Sequence, residues 1–550
     1  MILDLSTDAA PTNSDFDLVV VGTGPAGSVV VAELLKLAPT LKICVLESGR
    51  RRPWAFADRL RKAPFEGIRI KPHSRERVLG GASTTWSGLS SPMDPIELES
   101  RPWLEVPGWP LDRAALDPYY AAAAARYRFA APADFDPNGS GPLTAVRQKR
   151  DFQPKWNGLE EKLFLAAAEP QDFGKELAHI YEHDNVTLLF DASVTQLEHT
   201  AGRVEAALAK TSNGAALRLT GTRFVIGTGG IENARLLLLS GLGGDLAGHY
   251  MMNHTKNYAG IVQLAEPTRS LPYYFGCIAS GFAGYGGLRL TDATERDGEL
   301  VNSYVRFEPL FPWSDNRGVE ALVHLVKRSS LIMTFWKRSK KDAVIELRDY
   351  SETGDDSELD EEQLSYFGLV ARLLRHLPSV LSYVKSRIFD RGGPLIRRVR
   401  VRNFMEMEPR LQNRVELSDE TDELGSRLPR VMHDTSQRDR DSLLRLHAVL
   451  RSELERVGLG TLEGDLTTLP NDAPWPIDQD ASHHIGTTRM GTDAATSVCT
   501  PDLLVRDTNN LYMSGASVFP TSGCANPTYT IVALAIRLAE HLTQETEASV

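Results

Sequence analysis

Cysteine is scarce in this sequence: 4 residues in 550, at Cys44, Cys277, Cys499 and Cys524, with no Cys-x-x-Cys pair. Neither a disulfide framework nor a thiolate zinc site is expected, and a reducing compartment fits. No apolar run reaches the roughly 18 residues that a membrane-spanning helix needs, which argues against an integral membrane protein. Positive charge is in deficit. The 61 Lys and Arg against 72 Asp and Glu leave a formal charge of -11, so no nucleic-acid partner is expected. The opening MILDLSTDAAPTNSDFD has no basic n-region and no apolar h-region, and no twin-arginine pair precedes the first apolar run, so the expected location is cytoplasmic. No internal repeat is detected.

A chain of 550 residues exceeds the size at which single cores stop growing, so two domains or one domain with large insertions are expected. The clearest local signal is DFDLVVVGTGPAGSVVVAELLKLAPTLKICVLESGR. It reads as a strand (Leu18 to Val21), a glycine turn, a helix and a second strand (Ile43 to Leu46). Gly22 suits the tight turn, Gly24 the close approach of a pyrophosphate, and Gly27 the packing of helix on strand. Pro25 and Ala26 open the helix, whose N-terminus faces phosphate. Glu47 closes the second strand 20 residues after Gly27, placed to accept from ribose hydroxyls. Arg50, Arg51 and Arg52 follow, either as a solvated basic loop or as a 2'-phosphate site.

A second glycine-rich stretch, RERVLGGASTTWSGLSSPMD (Arg75 to Asp94), offers backbone N–H groups at close approach. GTRFVIGTGGIENARLLLLSGLG is another strand, glycine turn and helix. Near the C-terminus, ASHHIGTTRMG places His483 and His484 side by side, and NLYMSGASVFPTSG followed by NPTYTIVALAIRLAEHL gives a strand, a turn and a helix with a buried stripe.

Together these stretches resemble the glucose-methanol-choline (GMC) oxidoreductases, flavoproteins that oxidise alcohols, in the motif style of pyranose oxidase and related bacterial sugar or glycoside oxidoreductases. The resemblance implies α/β plus α+β architecture: a discontinuous Rossmann-like FAD-binding domain (1–100, 185–254 and 478–550) and an antiparallel-sheet substrate domain (101–184 and 255–477). It implies FAD at Gly22, Gly24, Pro25, Ala26, Gly27, Glu47, Gly80, Gly81, Ser83, Thr84, Trp86, Ser87, Val194, Gly229, Gly515, Ala516, Asn526, Pro527 and Thr528. Pyranose oxidases carry a flavin-linked histidine just before the matching tryptophan. Thr85 stands there in this sequence, so the FAD is expected to be non-covalent. Ser87 is either a hydroxyl near the flavin N5 or an ordinary loop serine.

The family's histidine precedes Gly-Thr by three positions, which selects His483, and the second polar residue falls on Asn526. Neutral imidazole suits a base near neutral pH, and the amide can donate to the same oxygen. If the SHHIG run is extended, only one histidine faces the flavin, and His484 packs elsewhere. No metal site is expected.

The expected activity is oxidation of a sugar or glycoside hydroxyl to a carbonyl, with oxygen, a quinone or another carrier as electron acceptor. A non-sugar alcohol such as a sterol or natural-product intermediate, a lyase on the same flavin, and a flavin protein without catalysis are the alternatives. Phe404 to Pro409 and Asn413 to Glu420 fit family strands. Tyr273, Tyr274, Phe275, Tyr304, Phe307, Phe311 and Trp313 form either a sugar-stacking wall or core. The acidic run Ser351 to Glu362 reads as a solvated loop. Residues 366–400 interleave leucines with Arg372, Arg375, Lys385, Arg387, Arg397 and Arg398, either as a surface that contacts a membrane or as a helical cover.

Overall fold

The computed structural model describes all residues except 12–14, 72–73, 140–153, 168, 270–276, 280–281, 312, 315, 329–364, 390–394, 470–474, 477–478, 481 and 549–550. Tyr273, Tyr274, Phe275 and the acidic run 351–362 lie outside the described residues.

The strands Asp15–Val21 and Ile43–Leu46 are almost continuously apolar, as strands covered on both faces require. They lie parallel, with Val186–Phe190 and then Ile2–Asp4 on one side. On the other side lies Ala216–Ile226. Its second half also pairs in parallel with Leu511–Met513, while its first half closes an antiparallel hairpin formed by Ser193–Thr200 and Arg203–Lys210. The glycine turn, the mid-chain turn and the C-terminal tail therefore meet at one end of one sheet. Helices Pro25–Leu37 and Thr528–Ala548 pack together against it.

A second sheet is antiparallel throughout. Its path runs Cys277–Ala279, Phe282–Leu290, Ser303–Leu310, Ile396–Met405, Thr255–Thr268, Gly460–Glu463, and Leu159–Ala167 pairs with Phe282–Leu290. One face packs on helix Gln437–Arg456. The helix offers Leu443, Leu446, Leu450 and Leu454 at helical spacing, and the sheet answers with Val305, Phe307, Val399, Val401 and Met405. The alternate residues point the other way, giving Tyr304 and Arg306 on one strand and Arg400, Arg402 and Phe404 on its neighbour. A small sheet of Arg414–Thr421, Arg427–His433 and Phe65–Gly67 joins distant parts of the chain.

Among the described residues no helix is long and apolar enough to cross a membrane. Residues 366–389 form two helices, Tyr366–Arg375 and Leu377–Phe389, that rest on helix Arg317–Arg328 through Val319, Val380 and Tyr383. They are thus a cover, but one that leaves Tyr366, Phe367, Val370, Leu374, Leu377 and Leu381 exposed.

Candidate active site

The end of the parallel sheet and the far face of the antiparallel sheet enclose one cavity of about 1650 Å³. Small-molecule sites usually measure about 300–1,000 Å³, so there is room for a dinucleotide and a substrate together.

The nucleotide-type half is built by local rules. Gly22 has φ +99°, and a Cβ there would lie 2.6 Å from the Gly227 carbonyl oxygen. A Cβ on Gly27 would lie 2.1 Å from the Gly22 carbonyl oxygen, so this glycine packs helix on strand behind the cavity. At Gly24 a Cβ would meet nothing within 4 Å. Gly24 caps helix Pro25–Leu37 with no side-chain acceptor, leaving the first N–H groups of the helix directed at the cavity. Glu47 is buried and accepts from the Thr23 backbone N (3.2 Å), Thr23 Oγ1 (2.6 Å) and the Gly49 backbone N (2.8 Å). Burial pushes its carboxyl up, and these donors pull it back.

Of the residues expected to hold the cofactor, Gly22, Gly24, Pro25, Ala26, Glu47, Gly81, Ser83, Thr84, Trp86, Ser87, Val194, Gly229, Gly515, Ala516, Asn526, Pro527 and Thr528 line this cavity. Gly80 stands one layer back with its N–H on Thr23 Oγ1 at 3.3 Å. Trp86 is fixed by its indole N–H, which donates to the Gln171 carbonyl at 2.7 Å. Arg50 stacks on Trp54 at 3.5 Å and Arg51 lies over Phe190, both as parts of a loop away from the cavity.

The C-terminal motif is stitched to the mid-chain turn. Asn233 Oδ1 accepts from the Thr228 backbone N (2.8 Å), and its Nδ2 donates to the Ser514 carbonyl (3.0 Å) and to Ser517 Oγ (2.8 Å). Thr487 donates to the Gly230 carbonyl at 2.5 Å, and the Gly486 N–H to the Ala516 carbonyl at 3.2 Å.

His483 and Asn526 both line the cavity. Ser482 has φ +63°, which breaks the SHHIG run at its first residue, and His484 borders the cavity as well as His483. His484 packs its backbone and Cβ against Gly230, where a Cβ would lie 2.1 Å from the His484 carbonyl oxygen. His483 is held by Asn253, whose Oδ1 accepts its backbone N–H at 3.2 Å, and by His254, at 2.9 Å between the two Nδ1 atoms. Burial, with His254 and Lys256 next in weight, holds the His483 imidazolium well below its usual range. Burial likewise holds His254 down to about 4. Both rings are therefore neutral at pH 7. Neither Asn253 nor His254 is marked by its sequence neighbours, since 229 residues separate His254 from His483.

Facing the nucleotide half, the wall on the antiparallel sheet carries Lys256, Tyr258, Tyr285, Tyr304, Arg306, Arg400, Arg402 and Phe404. The guanidiniums lie on aromatic faces, Arg400 at 4.1 Å from the Tyr258 centroid and Arg306 at 4.8 Å from that of Tyr285. Of the other aromatics singled out from sequence, Phe307 belongs to the core under helix Gln437–Arg456, and Phe311 at the margin of that core stacks on Trp313, which packs against the cluster of Val319, Val380 and Tyr383. Asp94, Glu97 and Cys524 bring potential metal-ligating atoms within 4.8 Å of one another. Both carboxylates are already engaged, Asp94 by Lys162 at 2.6 Å and Glu97 by Asn302 Nδ2 at 2.8 Å.

Residues 409–535 match the GMC oxidoreductase family. C-glycoside 3-oxidase of Microbacterium trichothecenolyticum is 37% identical over 148 residues, which is 26% of this chain and 27% of that protein. Paromamine 6'-oxidase of Streptomyces fradiae is 33% identical over 142 residues, 26% and 25% of the two chains. Pyranose 2-oxidase of Tricholoma matsutake is 45% identical over 60 residues, 11% of each. The first two matches span about a quarter of the relatives' length. Among solved structures, pyridoxine 4-oxidase from Mesorbium loti superposes with TM-score 0.54 over 96% of this chain and 99% of that one, at 14% identity. Formate oxidase of Aspergillus oryzae does so with TM-score 0.55 over 98% and 100%, at 16% identity. These two likenesses carry the fold. The C-terminal segment 409–535 thus matches the family, and the whole chain shares the fold of these solved structures.

Proposed function

We propose that the protein is an FAD-dependent oxidoreductase that converts a hydroxyl of a sugar or glycoside to a carbonyl. One observation carries this reading: His483 and Asn526 border the same cavity as the glycine cradle and face a wall of tyrosines, arginines and a lysine. Such a wall suits a polyhydroxylated ring, since aromatic faces stack on its C–H groups and cationic donors reach its oxygens. A sterol would ask for an apolar lining. The relatives named C-glycoside 3-oxidase and pyranose 2-oxidase point the same way.

In this reading the uncapped start of helix Pro25–Leu37 holds the pyrophosphate of FAD, Glu47 the adenosine ribose, and the loop Gly81–Ser87 the flavin. When bound, FAD accepts at N5 the hydride that leaves the substrate carbon. His483 takes the hydroxyl proton as that carbon–oxygen bond becomes double. Asn526 donates its amide N–H to the same oxygen and keeps it placed without competing for the proton. The start of helix Thr528–Ala548 borders the cavity beside Asn526 and favours negative charge there. Thr85 offers no atom for a histidyl link, so we propose a dissociable FAD. Oxygen is the proposed acceptor, in keeping with relatives named oxidases. The buried free thiols Cys44, Cys499 and Cys524 support the cytoplasm as the compartment.

A second surface belongs to the proposal. Residues 366–389 carry Arg372, Arg375, Lys385 and Arg387 and no acidic residue, beside the exposed apolar face led by Phe367. Charge and apolarity together suit the surface of an anionic bilayer.

The test is anaerobic mixing of the flavin-loaded protein with a panel of sugars, glycosides, sterols and simple alcohols while flavin absorbance is followed. Bleaching by a sugar or glycoside supports the reading. Bleaching only by a sterol or simple alcohol overturns the substrate class. No bleaching by any member, with turnover to a carbonyl fragment, points to a lyase.

A further inference from the structure

A histidine that serves as a base must present an unprotonated ring nitrogen to its substrate, and in neutral imidazole only one of the two nitrogens is free of a proton. The surroundings of His483 decide which. His254 places its Nε2 3.3 Å from the carbonyl oxygen of Ser522 and its Nδ1 2.9 Å from Nδ1 of His483. A carbonyl oxygen only accepts, so His254 Nε2 carries the hydrogen. The ring is buried and neutral, so its Nδ1 has none and is an acceptor. Two facing nitrogens at 2.9 Å need one hydrogen between them, and it must then belong to His483 Nδ1. That leaves the lone pair of His483 on Nε2, on a side chain that lines the cavity.

We propose that His254 is a positioning residue that fixes the tautomer of His483, holding its proton on Nδ1 through the chain Ser522 carbonyl, His254, His483. This deepens the proposed function, because it rests on His483 as the base. The same contact supports the imidazolium that forms when His483 takes a proton, since its Nδ1–H keeps an acceptor. The chain is held at each end. Asn253 takes the His483 backbone N–H and, through the same Oδ1, the His254 backbone N–H at 2.9 Å. Glu406 accepts the Gly523 N–H at 3.2 Å and fixes the loop on which Ser522 sits. The charged and titratable groups around the pair are Lys256, Lys71, His484 and Glu406.

The test uses the flavin-loaded protein with ¹⁵N-labelled histidine. The His483 signals are identified by their loss in His483→Ala. Expected is a protonated Nδ1 and an unprotonated Nε2 in the resting protein. In His254→Leu this fixed tautomer is lost, and flavin reduction by a saturating substrate slows about 10- to 100-fold with little change in substrate affinity. His254→Asn restores an acceptor near the position of Nδ1 and recovers most of the rate. A resting His483 protonated on Nε2, or a tautomer and rate unchanged in His254→Leu, overturns the proposal. The spectrum needs no turnover. If the tautomer is as expected and no alcohol reduces the flavin, the functional reading fails and the positioning role stands.

Discussion

Cys524 donates its backbone N–H to Glu97 Oε1 at 2.6 Å, so the loop that leads to Asn526 hangs from a carboxylate 427 residues earlier in the chain. Glu406 does the same for the neighbouring residue, accepting from the Gly523 N–H while both its oxygens are gripped by Arg101 at 2.6 and 2.9 Å. Three buried side chains from remote segments, Glu97, Glu406 and Arg101, thus hold the loop that leads to Asn526.

Removing Glu406 leaves the Arg101 guanidinium buried without its counter-charge. Glu406→Ala is expected to destabilise the fold by about 3–5 kcal/mol, measured by denaturant unfolding. Glu406→Gln retains the acceptor for Gly523 but loses the charge, and falls between. A loss below about 1 kcal/mol in the Ala variant contradicts this role.

The two glycines of the first turn have different jobs, so their alanine variants should separate. Gly22→Ala forces a side chain onto a backbone at φ +99° and into a carbonyl 2.6 Å away, and is expected to cost at least about 2 kcal/mol of stability. Gly24→Ala has φ -67° and open space, so stability changes by less than about 1 kcal/mol while flavin retention drops. Thermal unfolding and flavin content of the purified variants measure both. Equal loss of stability in the two would contradict the assignment.

With His483 as the proposed base, its depressed pKa sets the pH dependence. A lowered pKa means that the base stays neutral until the pH falls below the lowered value. The acid limb of kcat/KM is therefore expected below pH about 6.5, the ordinary histidine value. A pH profile on the best substrate measures it. A limb at or above 6.5 assigns the titration to another group or returns His483 to solvent.

The face led by Phe367 should bind anionic vesicles and release them as salt rises. Sedimentation with phosphatidylglycerol vesicles is expected to carry down the protein, and Phe367→Glu with Leu374→Glu to abolish this several-fold. Neutral phosphatidylcholine vesicles should carry down little. Absence of binding at low salt rejects the membrane and leaves the face to another partner.

The first strand, turn and helix were legible because their rules are local: a run of buried apolar residues, glycines where no Cβ fits, and Glu47 at the end of the next strand. The C-terminal stretch was legible for the same reason. His254, Glu97, Glu406 and Arg101 were not, since each acts on partners 117 to 427 residues away, and nothing next to them in sequence marks the contact. The substrate-facing wall lies between these cases. The alternation in IRRVRVRNFM is visible in the sequence, but only the helix packed on Val399 and Val401 shows that the arginine side faces the cavity. The backbone of the SHHIG run was open in the sequence because Ser482 takes a left-handed conformation that its residue type does not announce.

The most direct measurement is the rate of anaerobic flavin reduction by a glycoside, in wild type and in His483→Ala, with the substrate protonated or deuterated at the reacting carbon. The expected result is reduction in wild type with a primary isotope effect, slowed at least about 100-fold in His483→Ala while the flavin remains bound. Reduction at the same rate in the variant, or none by any glycoside in wild type, contradicts His483 as the base or the glycoside as the substrate.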